Sequence, residues 1–359
     1  MQSYALYDYL KSRNVEVEII NYVRSRYKYD KVLLNLGMGR GADPRSVLQR
    51  IRIRGRFGKA IDKKFDRFRD ANLRMSTEVD ERSIANILAD YETIIVGSDQ
   101  VWNPSMRGSN VYFLGFGESF CGTKISYAAD STTSDIDPKY TAKLRRELSD
   151  FKAISVRNEH SREFVEKLIG KTVPIVADPV VLCDFSKLNL ENIPTHSEER
   201  YIFVYVLGED IKGSNKQAVD KIRKVYGDMK VYAVVDPTKK VNLNVFDYAD
   251  EVYYDLGPEE WIGTLSNAAF VYTDSFHGTL FALKFHRPFL AYYVEPSRAT
   301  RFVDLGNRYK IDDFIVSSID EIEAKGSLEK PPDFDMIDDV MEDHKRTSIQ
   351  FLYAALDVS

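Results

Sequence analysis

The sequence AAFVYTDSFHGTLFALKF, residues 268–285, contains the turn around which this chain is organised. Its first apolar run, residues 268–272, is typical of a buried strand, and its second, residues 280–285, is typical of the first turns of a helix. A strand that turns directly into a helix leaves unpaired N–H groups and the positive end of the helix dipole at the edge of the sheet. The stretch therefore predicts an anion-binding edge at a strand–helix junction.

The polar residues of this turn are the first candidate site residues. Asp274 or Ser275 is suited to cap the helix, and Gly278 would let a ligand approach the backbone. The helix start from Ser275 to Thr279 would hold an anionic group, and His277 would donate a proton or bind a carboxylate. The alternative is a capped junction with a packed histidine, and these residues alone leave both interpretations open.

Length and composition exclude several classes of protein. The chain has 359 residues, which favours two domains, and its 44% hydrophobic and 29% charged residues are typical of soluble globular proteins. A formal net charge of −5 argues against a nucleic-acid-binding protein. Cys121 and Cys183 are too few for a disulfide framework or a zinc site, and no apolar run reaches transmembrane length. We therefore expect a cytoplasmic protein with no transmembrane segment, nucleic-acid partner or metal.

Strands alternate with helices along most of the chain, which predicts parallel sheets. Helices are expected at residues 3–13, 46–74, 139–151, 215–226, 258–267 and 336–356, and strands at 15–22, 92–96, 124–129, 153–157, 172–177, 201–207, 231–235, 251–254, 268–272 and 288–294. The chain turns polar between Cys183 and Arg200, where we place a domain boundary. The result is an α/β protein with two doubly wound, Rossmann-like domains, 1–190 and 198–335, and a C-terminal helix, 336–359, that packs on the first domain.

Polar residues follow the predicted strands of the first domain where those strands end. One strand is followed by GSDQVWN (residues 97–103), the next by Asp130, and a third ends in Arg157. Open α/β sheets bind ligands at the carboxyl ends of their strands. An arginine at the end of a buried strand is unusual unless it meets an anion or a carboxylate, and the sequence leaves both open. Asp99, Asp130 and Asp178 lack the clustered spacing of a metal site.

The long helix predicted at 46–74 is basic in its first part and has an apolar stripe. Its cations are Arg50, Arg52, Arg54, Arg56, Lys59, Lys63 and Lys64, and its stripe is Phe57, Ile61, Phe65, Phe68 and Leu73. Either this is a solvated basic face, or it contacts an anionic acceptor or the lipids of a membrane surface.

Several separated motifs together resemble the polysaccharide pyruvyl transferase family, over most of the chain from the first helix to about Ile311. They occur in the family's order. They are Gly97 to Asn103, Ser126 to Ala129, Val156-Arg157 with Glu159 and Ser161, Asp178-Pro179, Thr273 to Thr279, and a segment with Arg298 and Arg301. Each motif alone is weak evidence. Because the motifs occur as an ordered set, a functional His277 is favoured over a histidine that is only packed. The resemblance adds a GT-B-like arrangement to the predicted fold, with a cleft between the two domains.

The resemblance implies transfer of a unit from phosphoenolpyruvate to two hydroxyls of a sugar, giving a pyruvate ketal in exopolysaccharide or capsule biosynthesis. Phosphoenolpyruvate is the donor substrate, no separate cofactor is implied, and the acceptor sugar is carried on a lipid or a nucleotide. The expected catalytic residues are His277, as general acid or donor ligand, and Asp99, as base or hydroxyl anchor. The expected donor-binding residues are Arg157, Ser275, Gly278, Thr279 and Arg301, and the expected acceptor-binding residues are Ser98, Gln100, Trp102 and Asn103.

Two other functions stay open at this point. One is a GT-B glycosyltransferase that uses a nucleotide sugar, and the other is a non-catalytic family member that retains an anion pocket. Family members resemble each other in beginning with a strand and a small-residue loop, whereas Met1 to Leu6 corresponds to the start of the helix that follows. We therefore expect the first domain to lack that strand and to expose sheet edges, which a homodimer would cover.

Overall fold

The computed structural model describes residues 1–24, 44–103, 111–191, 199–236, 242–294 and 296–357. These residues form two compact units, each built from separate pieces of the chain. Residues 1–24, 73–184 and 341–357 make up the first unit, and residues 44–72 and 185–340 contribute to the second. No helix in the described ranges is long and apolar enough to cross a membrane.

The helices and strands follow in chain order. The helices are α1 (Gln2–Ser12), α2 (Pro44–Asn72), α3 (Pro138–Ser149), α4 (Glu159–Ile169), α5 (Pro179–Leu182), α6 (Asn215–Tyr226), α7 (Pro258–Ser266), α8 (Phe276–Lys284), α9 (Pro296–Tyr309), α10 (Ile319–Ala324) and α11 (Phe334–Leu356). The strands are β1 (Thr93–Val96), β2 (Thr123–Ala129), β3 (Ala153–Val156), β4 (Tyr201–Tyr205), β5 (Lys230–Val234), β6 (Glu251–Tyr253), β7 (Phe270–Thr273), β8 (Phe289–Tyr292) and β9 (Ile315–Val316).

The first unit contains a parallel sheet in the order β1-β2-β3. A single bridge, Val156 to Ile175, continues it where we predicted a strand at 172–177. Pro174 explains the difference, because it has no N–H to donate to a neighbouring strand. The strand predicted at 15–22 is likewise reduced to isolated bridges, from Ile19 to Met75 and from Tyr22 to Val79.

The second half of α11 packs on the first unit, as predicted. Ser348 accepts a hydrogen bond at Oγ from the backbone N–H of Ala177 at 2.8 Å. The ring of Phe351 lies 6.5 Å from that of Tyr127 on β2. Leu352 is buried in the same cluster of apolar side chains. These contacts cover the face of the sheet that holds Tyr127.

The second unit contains a parallel sheet in the order β6-β5-β4-β7-β8-β9. Counted from its own first strand, this is the doubly wound order 3-2-1-4-5-6. The order reverses between β4 and β7, and such a reversal leaves a crevice at the carboxyl ends of the two strands, where open α/β sheets bind ligands. The turn at 273–279 therefore lies at the reversal point of the sheet.

Helix α2 belongs to the second unit, which corrects the predicted boundary of 1–190 for the first domain. Its buried face decides the assignment. Ile53 lies in the apolar core of the second unit, and the ring of Phe57 stacks on that of Tyr254 at 5.1 Å. Lys64 pairs with Glu260 of α7 at 2.8 Å. Ile61 and Phe68 of the predicted stripe are buried, but Phe65 is 45% exposed. An apolar stripe also does not indicate which sheet it covers.

Candidate functional site

The backbone after β1 is held in an unusual conformation. Gly97 has φ +136°, and a Cβ there would lie 1.9 Å from the carbonyl oxygen of Tyr127 on the neighbouring strand, so only glycine fits. Asp99 has φ +66°, in the left-handed region that Asp and Asn tolerate better than most residues. Its side chain is 46% exposed. The local backbone thus presents one accessible carboxylate at this strand end.

Arg157 follows β3 and is surrounded by three carboxylates. Its Nη2 donates to Asp99 Oδ1 at 2.9 Å and to Asp130 Oδ2 at 2.6 Å, and its Nη1 donates to Asp178 Oδ2 at 3.0 Å. The guanidinium is 3% exposed, and Asp130 and Asp178 are almost completely buried. One guanidinium against three carboxylates leaves this cluster with a formal charge of −2.

This arrangement corrects the expected role of Arg157 in donor binding. A guanidinium surrounded by a net negative cluster does not attract a second anion, and a phosphate or carboxylate ligand would be repelled by the same aspartates. The sequence left open whether Arg157 meets an external anion or carboxylates of the protein, and in the structure it meets carboxylates. Arg157 therefore acts on Asp99, by fixing the orientation of its carboxylate.

Asp130 is the most deeply buried carboxylate of the cluster. Burial alone would raise its pKa, but the neighbouring His160 and the charge and hydrogen bonds of Arg157 outweigh it and hold the pKa of Asp130 well below its usual range. His160 Nε2 lies 3.4 Å from Asp130 Oδ1, and its side chain is 13% exposed. His160 is thus held beside Asp130 at the start of α4.

Gln2 is a member of the cluster that sequence reasoning missed. Its Nε2 donates to Ser98 Oγ at 2.6 Å and to Asp178 Oδ2 at 2.7 Å. It thereby links the loop after β1 to the N-cap of α5, where the Asp178 side chain accepts from Val180 N at 3.1 Å. A glutamine in the first turn of an amphipathic helix gives no local signal of such contacts.

Trp102 does not fit its predicted role in acceptor binding. It is completely buried, its indole N–H donates to the carbonyl of Tyr112 at 3.0 Å, and its ring stacks on that of Phe113 at 5.5 Å. A ring with no exposed surface cannot stack on a sugar, so Trp102 is a core residue. Gln100 and Asn103 are partly exposed and stay predicted acceptor contacts, whereas the hydroxyl of Ser98 is buried.

The turn after β7 in the second unit is fixed by neutral hydrogen bonds. Thr273 Oγ1 donates to the carbonyl of Tyr205 on β4 at 2.6 Å and accepts from Ser275 N at 3.0 Å. Ser275 is the N-cap of α8, because its Oγ accepts from Gly278 N at 3.2 Å. Thr279 is buried and donates to the Ser275 carbonyl at 3.1 Å. The hydroxyls of Ser275 and Thr279 therefore shape the turn, and the predicted anion contact at this helix start, which depends on its backbone N–H groups, stays a prediction.

Gly278 is required by packing. A Cβ at this position would lie 2.6 Å from Thr273 Oγ1, so a larger residue would push the helix away from the strand. We had expected the glycine to admit a ligand. His277 precedes it, with a partly exposed side chain whose ring lies 5.3 Å from that of Phe276. Among the predicted residues of this turn, His277 is the one with a partly exposed side chain, and its Nε2 atom is buried.

The ends of β4 and β7 are also joined by a carboxylate. Asp274 Oδ1 accepts from the backbone N–H of Leu207 at 2.6 Å. Burial, and then the charges of Asp236 and Asp274, raise the pKa of Tyr205, so its hydroxyl stays protonated. A crevice beside these residues is lined by Val204, Leu207, Val235, Asp236 and Asn242. Sequence reasoning missed this lining, because its residues come from three separate segments.

Arg301 lies in the second turn of α9 and is partly exposed. Helix α9 follows β8, the neighbour of β7, so Arg301 belongs to the same sheet edge as His277. Its donor-binding role stays a prediction, and the side chain of Arg298 lies outside the described residues. Across the described ranges, no group of three or more His, Cys, Asp or Glu side chains is arranged to hold a metal ion.

Known proteins resemble this chain in family and in fold. A family model described as "Polysaccharide pyruvyl transferase" matches residues 1–296. Among solved structures, a putative UDP-N-acetylglucosamine 2-epimerase from Listeria monocytogenes has a TM-score of 0.53 at 12% identity, covering 95% of this chain and 96% of its own. UGT89C1 from Arabidopsis thaliana, complexed with quercetin, has a TM-score of 0.51 at 13% identity, covering 98% and 95%. These likenesses confirm the predicted GT-B-like α/β fold with two Rossmann-like units. No curated protein matches the chain.

Proposed function

Since this chain belongs to the polysaccharide pyruvyl transferase family, we propose that it transfers a pyruvate-derived unit from phosphoenolpyruvate to two hydroxyls of a sugar in exopolysaccharide or capsule biosynthesis. The observation that carries the proposal is the place of His277. It lies in the first turn of α8, at the reversal point of a doubly wound sheet, with a partly exposed side chain.

The chemistry needs one acid, one base and an anion site. A proton adds to the methylene carbon of phosphoenolpyruvate, and the adjacent carbon gains oxocarbenium character. One sugar hydroxyl attacks that carbon and loses its proton. The second hydroxyl forms the other carbon–oxygen bond while the bond to phosphate breaks, and inorganic phosphate leaves with the remaining proton. The products are the ketal and phosphate, without any oxidant or reductant.

His277 is the proposed donor-side residue. An imidazole titrates near neutral pH, so it serves either as the acid that protonates the methylene carbon or as a cation that binds the donor carboxylate. The N-terminal end of α8 adds the positive end of a helix dipole, and Arg301 on α9 is the proposed phosphate contact. With Arg157 engaged by three aspartates, these groups of the second unit are the donor site.

Asp99 is the proposed acceptor-side residue. Its carboxylate is the accessible one of the three that surround Arg157. A carboxylate in a fixed orientation can accept a hydrogen bond from a sugar hydroxyl and take its proton as the hydroxyl attacks. Arg157 supports this role indirectly, since its Nη2 holds Asp99 Oδ1 at 2.9 Å.

Calorimetric titration with phosphoenolpyruvate tests the proposal. We expect wild-type binding, a loss on the order of a hundredfold in affinity for His277→Ala, and unchanged affinity for Asp99→Asn, which should instead lose turnover. His286→Ala is the matched control, because His286 is exposed and pairs with Asp338 on the surface. Equal affinities of wild type and His277→Ala would contradict the donor site. Binding of a nucleotide sugar instead would favour a glycosyltransferase, and donor binding without turnover on any sugar would favour a non-catalytic member.

A further inference from the structure

The first part of α2 carries a charge that contrasts with the rest of the protein. From Pro44 to Ile61 it contains only basic residues among its charged side chains, namely Arg45, Arg50, Arg52, Arg54, Arg56 and Lys59, in a chain of net charge −5. Arg54 pairs with Asp62 at 2.9 Å. Within the ranges that the structure describes, Arg52 and Lys59 have no acidic partner. In this basic strip, the charges of Arg52 and Lys59 are therefore not neutralised by the described part of the protein.

The second part of the same helix provides an internal comparison. There Lys64 pairs with Glu260 at 2.8 Å, and Arg69 pairs with Asp66. From Asp62 to Asn72, three aspartates alternate with four cations, so the charge of this part nearly balances. The basic strip is thus a property of about the first five turns and not of the whole helix.

Apolar side chains are exposed inside the basic strip. Leu48 is 50% exposed and Ile51 is 39% exposed. Residues 48, 51, 52, 55 and 59 are spaced by three or four positions or by their multiples, so they share one helix face. The opposite face, with Ile53 and Phe57, packs on the second unit. Leu48 and Ile51 thus expose apolar surface to water beside the cations Arg52 and Lys59. Such a combination is typical of a surface that binds a partner.

We propose that this face of α2, defined by Leu48, Ile51, Arg52 and Lys59, binds the surface of an anionic lipid bilayer. The cations would lie among anionic headgroups while the two aliphatic side chains enter the acyl boundary, as in interfacial amphipathic helices. The apolar pair favours a bilayer over a soluble polyanion, which would use the charges alone. The inference goes beyond the proposed function and does not depend on it.

Co-sedimentation of the full chain with vesicles tests this inference. We expect binding to vesicles of equal parts phosphatidylglycerol and phosphatidylcholine, weaker binding at high salt, and none to phosphatidylcholine alone. The variant Arg52→Gln/Lys59→Gln should lose about fivefold in affinity per cation. The variant Leu48→Gln/Ile51→Gln keeps every charge and should lose on the order of tenfold. Lys224→Gln/Val225→Gln on α6 removes an equally exposed cation and aliphatic side chain elsewhere, and should bind like wild type.

Three results would overturn the inference. They are no binding by the wild type, equal losses in the α6 control, and full binding by Leu48→Gln/Ile51→Gln combined with loss in the charge variant. The last result would mean a purely electrostatic polyanion surface, and heparin should then compete fully. Circular dichroism confirms that each variant is folded. Because the assay contains neither donor nor acceptor, its failure is distinct from failure of the proposed transferase activity.

Discussion

The two units place polar residues at the carboxyl ends of parallel strands in opposite ways. In the first unit, a buried guanidinium and three carboxylates bind one another. In the second unit, hydroxyls and backbone groups of 273–279 fix the turn, and the side chain of His277 stays partly exposed. The comparison teaches that a charged residue at a strand end indicates a ligand site only when its neighbours leave the charge unneutralised. Arg157 fails that condition.

The largest expected effect comes from removing Arg157. The substitution Arg157→Met leaves the buried carboxylates of Asp130 and Asp178 without their cation, and losing one partner of a buried ion pair costs about 3–5 kcal/mol. Urea unfolding of the full chain measures this loss. The matched control is Arg162→Met on α4, where the arginine pairs with Glu159 on the surface, and we expect a change below about 1 kcal/mol. Equal stabilities of both variants would return Arg157 to the candidates for donor binding.

The next effect is a dependence of stability on pH. Asp130 has a lowered pKa in the folded chain, so below the ordinary carboxyl pKa of about 3.9 the unfolded chain takes up the proton first. Stability from Asp130 is fully present above that pH and is lost as the pH falls. The difference in unfolding free energy between wild type and Asp130→Asn should therefore shrink by about 2 kcal/mol between neutral pH and a pH of about 2.5.

A constant difference across that range would show that the buried cluster does not depend on the ionised form of Asp130. Asp220→Asn serves as the control, because Asp220 lies exposed on α6 and pairs with Lys216. Such a surface pair contributes little, so this variant should follow the wild-type curve at every pH.

The smallest effect distinguishes packing from ligand access at Gly278. The substitution Gly278→Ala places a Cβ 2.6 Å from Thr273 Oγ1, and overpacking of this kind costs about 1–3 kcal/mol. Gly55→Ala in α2 is the matched change, because a Cβ there meets nothing within 4 Å, and alanine should stabilise the helix by up to about 1 kcal/mol. Urea unfolding should show opposite signs. Two stabilised variants would mean that the turn at 273–279 has room for a ligand beside the glycine.

The local sequence pattern was sufficient to predict most helices and strands of the second unit. Helix α6 begins and ends at the predicted residues, Asn215 and Tyr226, because Ser214 caps its start through Gln217 N and Gly227 follows its end. Alternating strands and helices also gave the parallel sheets. The position of the 273–279 turn followed from an apolar strand, a cap and an apolar helix, all adjacent in sequence.

The features that could not be predicted depend on contacts between residues that are distant in sequence. Asp99, Asp130 and Asp178 are 58, 27 and 21 residues from Arg157, so no local signal distinguishes them from an external anion. Trp102 follows a loop that resembles a ligand-binding one, yet its burial depends on Phe113 and Tyr112. The assignment of α2 to the second unit depends on Tyr254 and Glu260, which lie far along the chain.

The return of α11 to the first unit has a consequence for how the protein is made. Ser348 and Phe351, which complete the surroundings of Ala177 and Tyr127, follow the whole of the second unit in the chain. A ribosome therefore produces the β1-β2-β3 sheet long before the residues that cover it. Domains usually fold as units during synthesis, N-terminal first, but here the earlier sheet must wait for the later helix. The order of synthesis and the order of completion run in opposite directions.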